Sequence, residues 1–122
     1  MILGTGVDIT EVQRLRQAVS RWGDGFLRRV FTDEEIEAAQ GRLNRYQHLA
    51  GRFAAKEAVF KALGEKELSW KDLQILNDAS GRPYCVLINE TIRQRNKKIE
   101  IHISISHVKN YAVASATVTK KA

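Results

Sequence analysis

Isoleucines at 99, 101, 103 and 105 alternate strictly with polar residues, which predicts a strand with one face turned to a core. Tyr111–Val118 follows after a short turn, so the chain should end in a β-hairpin. A similar alternation at the start sets Leu3, Thr5 and Val7 against Ile2, Gly4, Gly6 and Asp8, predicting a first strand over 2–8. Helical spacing takes over at Val12, Leu15 and Val19. Thr10 with Gln13 resembles a capping box ahead of them, and Gly23 and Gly25 are the expected stop. Thr32 with Glu35 is a second capping box, opening a short acidic helix that should end near Gly41.

The strongest helical pattern covers 42–63, with Tyr46, Leu49, Ala50, Phe53, Phe60 and Leu63 on one stripe and Gly64 as the stop. Leu73–Leu76 and Tyr84–Ile88 read as strands flanking an Asn77–Pro83 turn, and 89–96 as a short polar helix. Local strands around a block of helices predict an α+β fold. It should be a compact single domain over 1–122 with an antiparallel sheet packed against a long helix.

Two carboxylates break the pattern. Advancing about 100° per residue from Phe53 puts Glu57 roughly 40° away, inside the apolar stripe. An ionised, unaccompanied carboxylate there would be costly, so it calls for a cation. Lys61, four residues on, either pairs with it as a plain helical ion pair or shares a ligand site with it. Arg52 and Lys56 lie on the flank of the same face. Asp8 ends the first strand on the face of Gly4 and Gly6, where a glycine backbone admits close approach by another group. It either caps the first helix or supplies a second carboxylate to a magnesium–phosphate site.

Composition narrows the partners. The formal net charge is +6, with 20 Lys+Arg against 14 Asp+Glu, which points to an anionic ligand or an acidic protein. Charge alone equally admits a small nucleic-acid-binding module. However, the aromatics are sparse and not interleaved with the basic residues, and no zinc-finger, RNP-type or Walker pattern is present. The one cysteine, Cys85, cannot form an internal disulfide. No apolar run approaches the roughly 18 residues of a membrane span. No signal peptide is visible, and a cytoplasmic location is expected.

Gly6-Val7-Asp8 at a strand end resembles the first signature of the 4'-phosphopantetheinyl transferases. Phe53-Ala54-Ala55-Lys56-Glu57-Ala58 with Lys61-Ala62 resembles the second. Phe31-Thr32-Asp33-Glu34-Glu35, Gly81-Arg82-Pro83-Tyr84 and Ser104-Ile105-Ser106-His107 resemble further segments, in the order of the short, single-domain holo-acyl-carrier-protein synthase type. The resemblance implies a homotrimer with active sites between subunits. It also implies magnesium, or manganese, as the metal, and transfer of phosphopantetheine from coenzyme A to a serine of an apo acyl carrier protein, leaving 3',5'-ADP. Fatty-acid biosynthesis is the implied pathway, with no nucleic-acid or membrane partner.

By the same resemblance Asp8 and Glu57 hold the metal and Lys61 steadies the leaving oxygen. Glu57 takes the serine proton, directly or through a water. Arg52, Lys56, Lys61, Pro83, Ser106 and His107 contact coenzyme A, with His107 reaching it across the subunit interface. Arg14, Arg21 and Arg28 meet the acidic carrier; Arg14 and Arg21 are seven residues apart on one helix face. One region departs from the family pattern: after Gly64 the chain runs Glu65-Lys66-Glu67-Leu68-Ser69-Trp70, where the family has a longer glycine- and threonine-containing loop. That change leaves open a member that binds its ligands without transfer.

Overall fold

The structure is a computed structural model and describes residues 1–65 and 67–122. Its elements run β1 (Ile2–Glu11), α1 (Val12–Trp22), α2 (Asp24–Val30), α3 (Asp33–Ala39), α4 (Arg45–Leu63), a 3-10 turn (Trp70–Asp72), β2 (Leu73–Asn77), β3 (Pro83–Leu87), α5 (Glu90–Arg95), β4 (Ile99–His107) and β5 (Tyr111–Lys120). The expected α+β architecture is present. β5 pairs antiparallel with β4 on one side and β1 on the other, and β2–β3 form a separate hairpin. Helix α4 lies across the inner face of the three-stranded sheet.

Local signals hold in most places. Thr32 accepts from the Glu35 amide, while Glu35 Oε1 accepts from the Thr32 amide at 2.8 Å, so the second capping box is complete. Gly64 closes α4 in the left-handed conformation, with φ at 64°. Three boundaries differ. β1 runs on to Glu11, so Asp8 lies within a strand and caps no helix, and Thr10 forms no capping box. Pairing with β5 extends through Glu11↔Tyr111, and those ladder bonds outcompete a side-chain cap. α1 does end at Gly23, at φ 62°, but Gly25 falls inside α2. The long helix begins at Arg45 instead of 42.

The buried face of α4 also differs from the aromatic stripe. Ala54, Ala55, Ala58 and Val59 are fully enclosed against Ala114, Ala116 and Val118 of β5 and against β2, whereas Phe53 and Phe60 are only half-buried. Small residues let the sheet approach closely, and a periodicity weighted by large side chains passes over them. Phe53 stacks on Trp70 at 4.8 Å and Phe60 meets the same indole at 5.2 Å, so the aromatic side of α4 holds the 3-10 turn. A second cluster, with Leu15, Leu27, Phe31 and Leu49, joins the early helices to the N-terminal half of α4.

The tightest seam is between β1 and α4. A Cβ built on Gly4 would sit 2.0 Å from the Ala62 carbonyl oxygen, and one on Gly6 equally close to that of Ala58. Both obstacles are helix backbone and cannot rotate away. Gly6→Ala should therefore push α4 off β1 and cost at least about 1–3 kcal/mol, the range for overpacking a filled interior. A denaturant midpoint unchanged from the parent would contradict this.

Candidate active site in two cavities

The glycine seam decides where the carboxylates go. Gly4, Gly6 and Asp8 share one face of β1, so drawing α4 onto the glycines sets Asp8 beside the next turns of the helix. Lys61 Nζ reaches Asp8 Oδ1 at 3.2 Å and also donates to the Val7 carbonyl at 2.9 Å, pinning the lysine to the strand. Thr10 Oγ1 donates to Asp8 Oδ2 at 3.4 Å. Lys61 thus pairs with Asp8 and not with Glu57, the i, i+4 partner that spacing alone offers.

Glu57 is half-buried and lines a cavity of about 580 Å³ together with Asp8, Arg14, Ala18, Phe26 and Phe53. Burial among apolar walls pushes its carboxyl up from the ordinary range, the Asp8 charge pushes the same way, and Lys61 opposes both. Asp8, Glu11 and Glu57 thus share the cavity lining with Arg14, and Lys61 is ion-paired with Asp8 alone among the described residues. Hard oxygen donors, few carboxylates and open space for phosphate oxygens suit magnesium or manganese. No cluster of three or more His, Cys, Asp or Glu that could hold a metal ion occurs among the described residues, so any metal at this cavity would have to rely on fewer protein donors, with Asp8 and Glu57 the candidates.

The remaining predicted residues divide. Arg14 lines the carboxylate cavity. Arg21 is exposed, its guanidinium 5.1 Å above the Trp22 ring, and Arg28 is exposed in the last turn of α2. Arg52 and His107 belong to a second cavity of about 310 Å³, with Arg42, His48, Gln47 and Ile105. No lining residue is common to the two cavities. Ser106 is exposed on β4 opposite Val113, and Pro83 opens β3 opposite Asn77.

Arg42 and His48 were not anticipated as site residues. Each has an unremarkable sequence neighbourhood, and only the fold brings them beside Arg52 and His107. Burial, followed by the charges of Arg52, Arg42 and His107, lowers His48 to about 4, so it is neutral near pH 7. The cavity is therefore cationic through its arginines, with a neutral imidazole available for hydrogen bonding.

Lys56 corrects an expectation. Its side chain is 0% exposed, its ammonium lies 2.7 Å from Glu35 Oε1, and it donates to the carbonyls of Val30, Trp70 and Leu73. All its donors are consumed inside the protein and none is left for a phosphate. Glu35 is equally enclosed and accepts the Ile75 amide on its other oxygen at 2.8 Å. The pair ties α2, α3, α4, the 3-10 turn and β2 together. The sequence shows Glu35 only as a cap, because its second oxygen finds partners far along the chain.

Comparison with known proteins follows the same outline. A family model described as the 4'-phosphopantetheinyl transferase superfamily matches residues 4–116. A holo-acyl-carrier-protein synthase of Protochlamydia amoebophila is 47% identical, spanning 95% of this chain and 97% of its own. One of Fusobacterium nucleatum is 42% identical, spanning 97% and 99%. Among solved structures, the Bacillus anthracis holo-acyl-carrier-protein synthase, described as in complex with CoA (3',5'-ADP), superposes with a TM-score of 0.82 at 35% identity, covering 100% of this chain and 99% of its own. That of Neisseria meningitidis superposes at 0.88 with 28% identity, covering 98% and 100%.

The buried pair makes a stability prediction. Lys56→Ala leaves the Glu35 carboxylate without its counter-charge and should cost about 3–5 kcal/mol in urea unfolding, whereas replacing both partners by apolar residues should restore much of the loss. A Lys56→Ala protein as stable as the parent would remove the structural role assigned to this lysine.

Proposed function

The chain belongs to the 4'-phosphopantetheinyl transferase superfamily, among the holo-acyl-carrier-protein synthases, and on that footing we propose that it moves phosphopantetheine from coenzyme A to a serine of an apo acyl carrier protein. The observation that carries the reading is the meeting of Asp8, Glu57 and Lys61. Asp8 comes from β1 and the other two from α4; Asp8 and Glu57 line one cavity, and Lys61 is bound to Asp8 beside it. In the reaction the serine oxygen bonds to the phosphorus that carries the pantetheine arm, the pyrophosphate P–O bond breaks, and 3',5'-ADP departs.

Asp8 and Glu57 would hold magnesium, which when bound supplies charge neutralisation to the pyrophosphate. Glu57 takes the serine proton; its apolar surroundings make it a better base than an exposed glutamate. Lys61, half-exposed and held by the Val7 carbonyl, directs its ammonium at charge developing on the leaving oxygen. Arg14 is exposed and lines the same cavity, and with the exposed Arg21 and Arg28 it would form a basic approach for an acidic carrier.

The second cavity would receive the phosphorylated adenosine end of coenzyme A on Arg52 and His107, with Arg42 and His48 beside them. Its separation from the carboxylates in one chain supports an assembly in which neighbouring subunits complete each other's sites. The outer face of the sheet supports the same assembly: Leu3, Val7 and Ile9 of β1, with Val113 of β5 beside them, are 37–66% exposed. A homotrimer would cover that row. No helix among the described residues is long and apolar enough to cross a membrane, and a cytoplasmic role in fatty-acid synthesis is proposed on the family footing.

Incubation with apo acyl carrier protein, coenzyme A and magnesium should raise the carrier's mass by one phosphopantetheine. Asp8→Ala and Glu57→Ala should stay folded and lose at least about a hundredfold in kcat, as expected when transition-state charge stabilisation or a general base is removed. No mass gain on several carriers would overturn the function. Near-parental turnover by either variant would overturn the metal site.

The shared site is tested by complementation. Glu57→Ala and His107→Ala proteins, each impaired alone, should recover activity when co-expressed, because some mixed trimers contain an intact pair of half-sites. Activity no greater than the two variants measured separately would place both cavities' functions within one chain.

A further inference from the structure

Arg52 is only 7% exposed, yet it forms no ion pair with a carboxylate among the described residues. Glu35, the acidic group that acts on it through space, is already bound to Lys56. Its guanidinium Nε–H is enclosed and has no partner among the described residues. A buried cation without a counter-charge is costly. Here it lines a cavity beside Arg42, so the balancing charge must come from an anion in that cavity. Burial and Arg42 lower Arg52 to about 10, which still leaves it charged near neutrality.

One side-chain partner does hold the guanidinium: Arg52 Nη2 donates to Asn77 Oδ1. The same amide donates through Nδ2 to the Gly81 carbonyl at 2.9 Å. Gly81 sits at φ 87° in a turn fastened by its own amide bond to the Asp78 carbonyl and by the Ser80 and Arg82 amides bonding to Asp78 Oδ1. That turn ends at Arg82 and Pro83. One neutral side chain therefore joins the catalytic helix, the cationic cavity and the turn.

We propose that Asn77 is a positioning residue, an amide clamp that orients the Arg52 guanidinium toward a bound phosphate and ties it to the Gly81–Pro83 turn. The choice of amide matters chemically. A carboxylate at 77 would also hold Arg52, but it would neutralise the charge that the ligand needs. An alkyl group would leave the guanidinium free to rotate. This inference rests on the coenzyme A reading above.

The test measures binding of adenosine 3',5'-bisphosphate to the full chain by calorimetry, with no transfer step involved. Asn77→Ala should weaken it about tenfold, the effect of losing one hydrogen bond to a charged group. Asn77→Asp should weaken it at least as much while unfolding at a higher temperature than Asn77→Ala, because the new ion pair with Arg52 restores the anchor. A purely structural Asn77 would instead give binding that tracks stability. Parental affinity in either variant overturns the clamp. If the unaltered chain does not bind the bisphosphate, the coenzyme A reading fails. The clamp is then decided by hydrogen exchange at Arg52 Nε–H in NMR spectra: faster exchange in Asn77→Ala upholds it, and an unchanged rate overturns it.

Discussion

The contact of β1 with α4 through bare backbone governs everything else in this fold. At Gly4 and Gly6 the helix carbonyls of Ala62 and Ala58 occupy the space a side chain would need. No other residue permits that approach, and without it Asp8 would stand a side chain's thickness further from Glu57 and Lys61. The alanines on the opposite strand serve the same end. Ala112, Ala114 and Ala116 of β5 are buried and small, so the helix can settle on the sheet along its length. The interior is thin here because the site on its rim requires two backbones to be close.

The Lys56–Glu35 pair performs the complementary task on the other side of α4. Burying two charges is seldom the most stabilising use of an interior, since desolvation consumes most of the attraction. Both carboxylate oxygens and the ammonium have partners here, however: three carbonyls and the carboxylate around Lys56, two amides and the ammonium around Glu35. Such a directional set accepts one arrangement of α2, α3, the 3-10 turn and β2 around the helix, which a hydrophobic patch would not specify. The residue next to the candidate base is thus committed to architecture, while Glu57 itself faces the cavity.

Electrostatically the molecule is divided. The first cavity is lined by three carboxylates, Asp8, Glu11 and Glu57, and one arginine, Arg14, whereas the second is lined by Arg42 and Arg52, neither in an ion pair among the described residues. Under the proposed function, each would serve a different part of a metal-bound pyrophosphate ligand with a further phosphate. The overall charge of +6 is the coarse record of this imbalance and of the arginines on α1 and α2.

The strands, the helices other than α2, the stops at Gly23 and Gly64 and the Thr32–Glu35 cap were legible in the sequence because they depend on neighbours within a few residues. Asp8 and Glu57 stood out for the same reason, each breaking a local pattern. The choice between a helix cap and a ligand for Asp8 was not legible, since it depended on how far β1 continues to pair with β5. The partner of Lys61 was not legible either: helical spacing offers Glu57, and the glycine seam offers Asp8. Lys56 and Arg52 look alike on the helix, one turn apart and equally basic. Only packing distinguishes them, enclosing one with Glu35 and opening the other to a cavity with Arg42 and His48. The sequence by itself determined most of the elements, their order and the chemistry available, because periodicity and residue type are local; α2, too short to show a period, was not among them. The tertiary structure alone decided which charge meets which, because that depends on distances set by residues far apart in the chain.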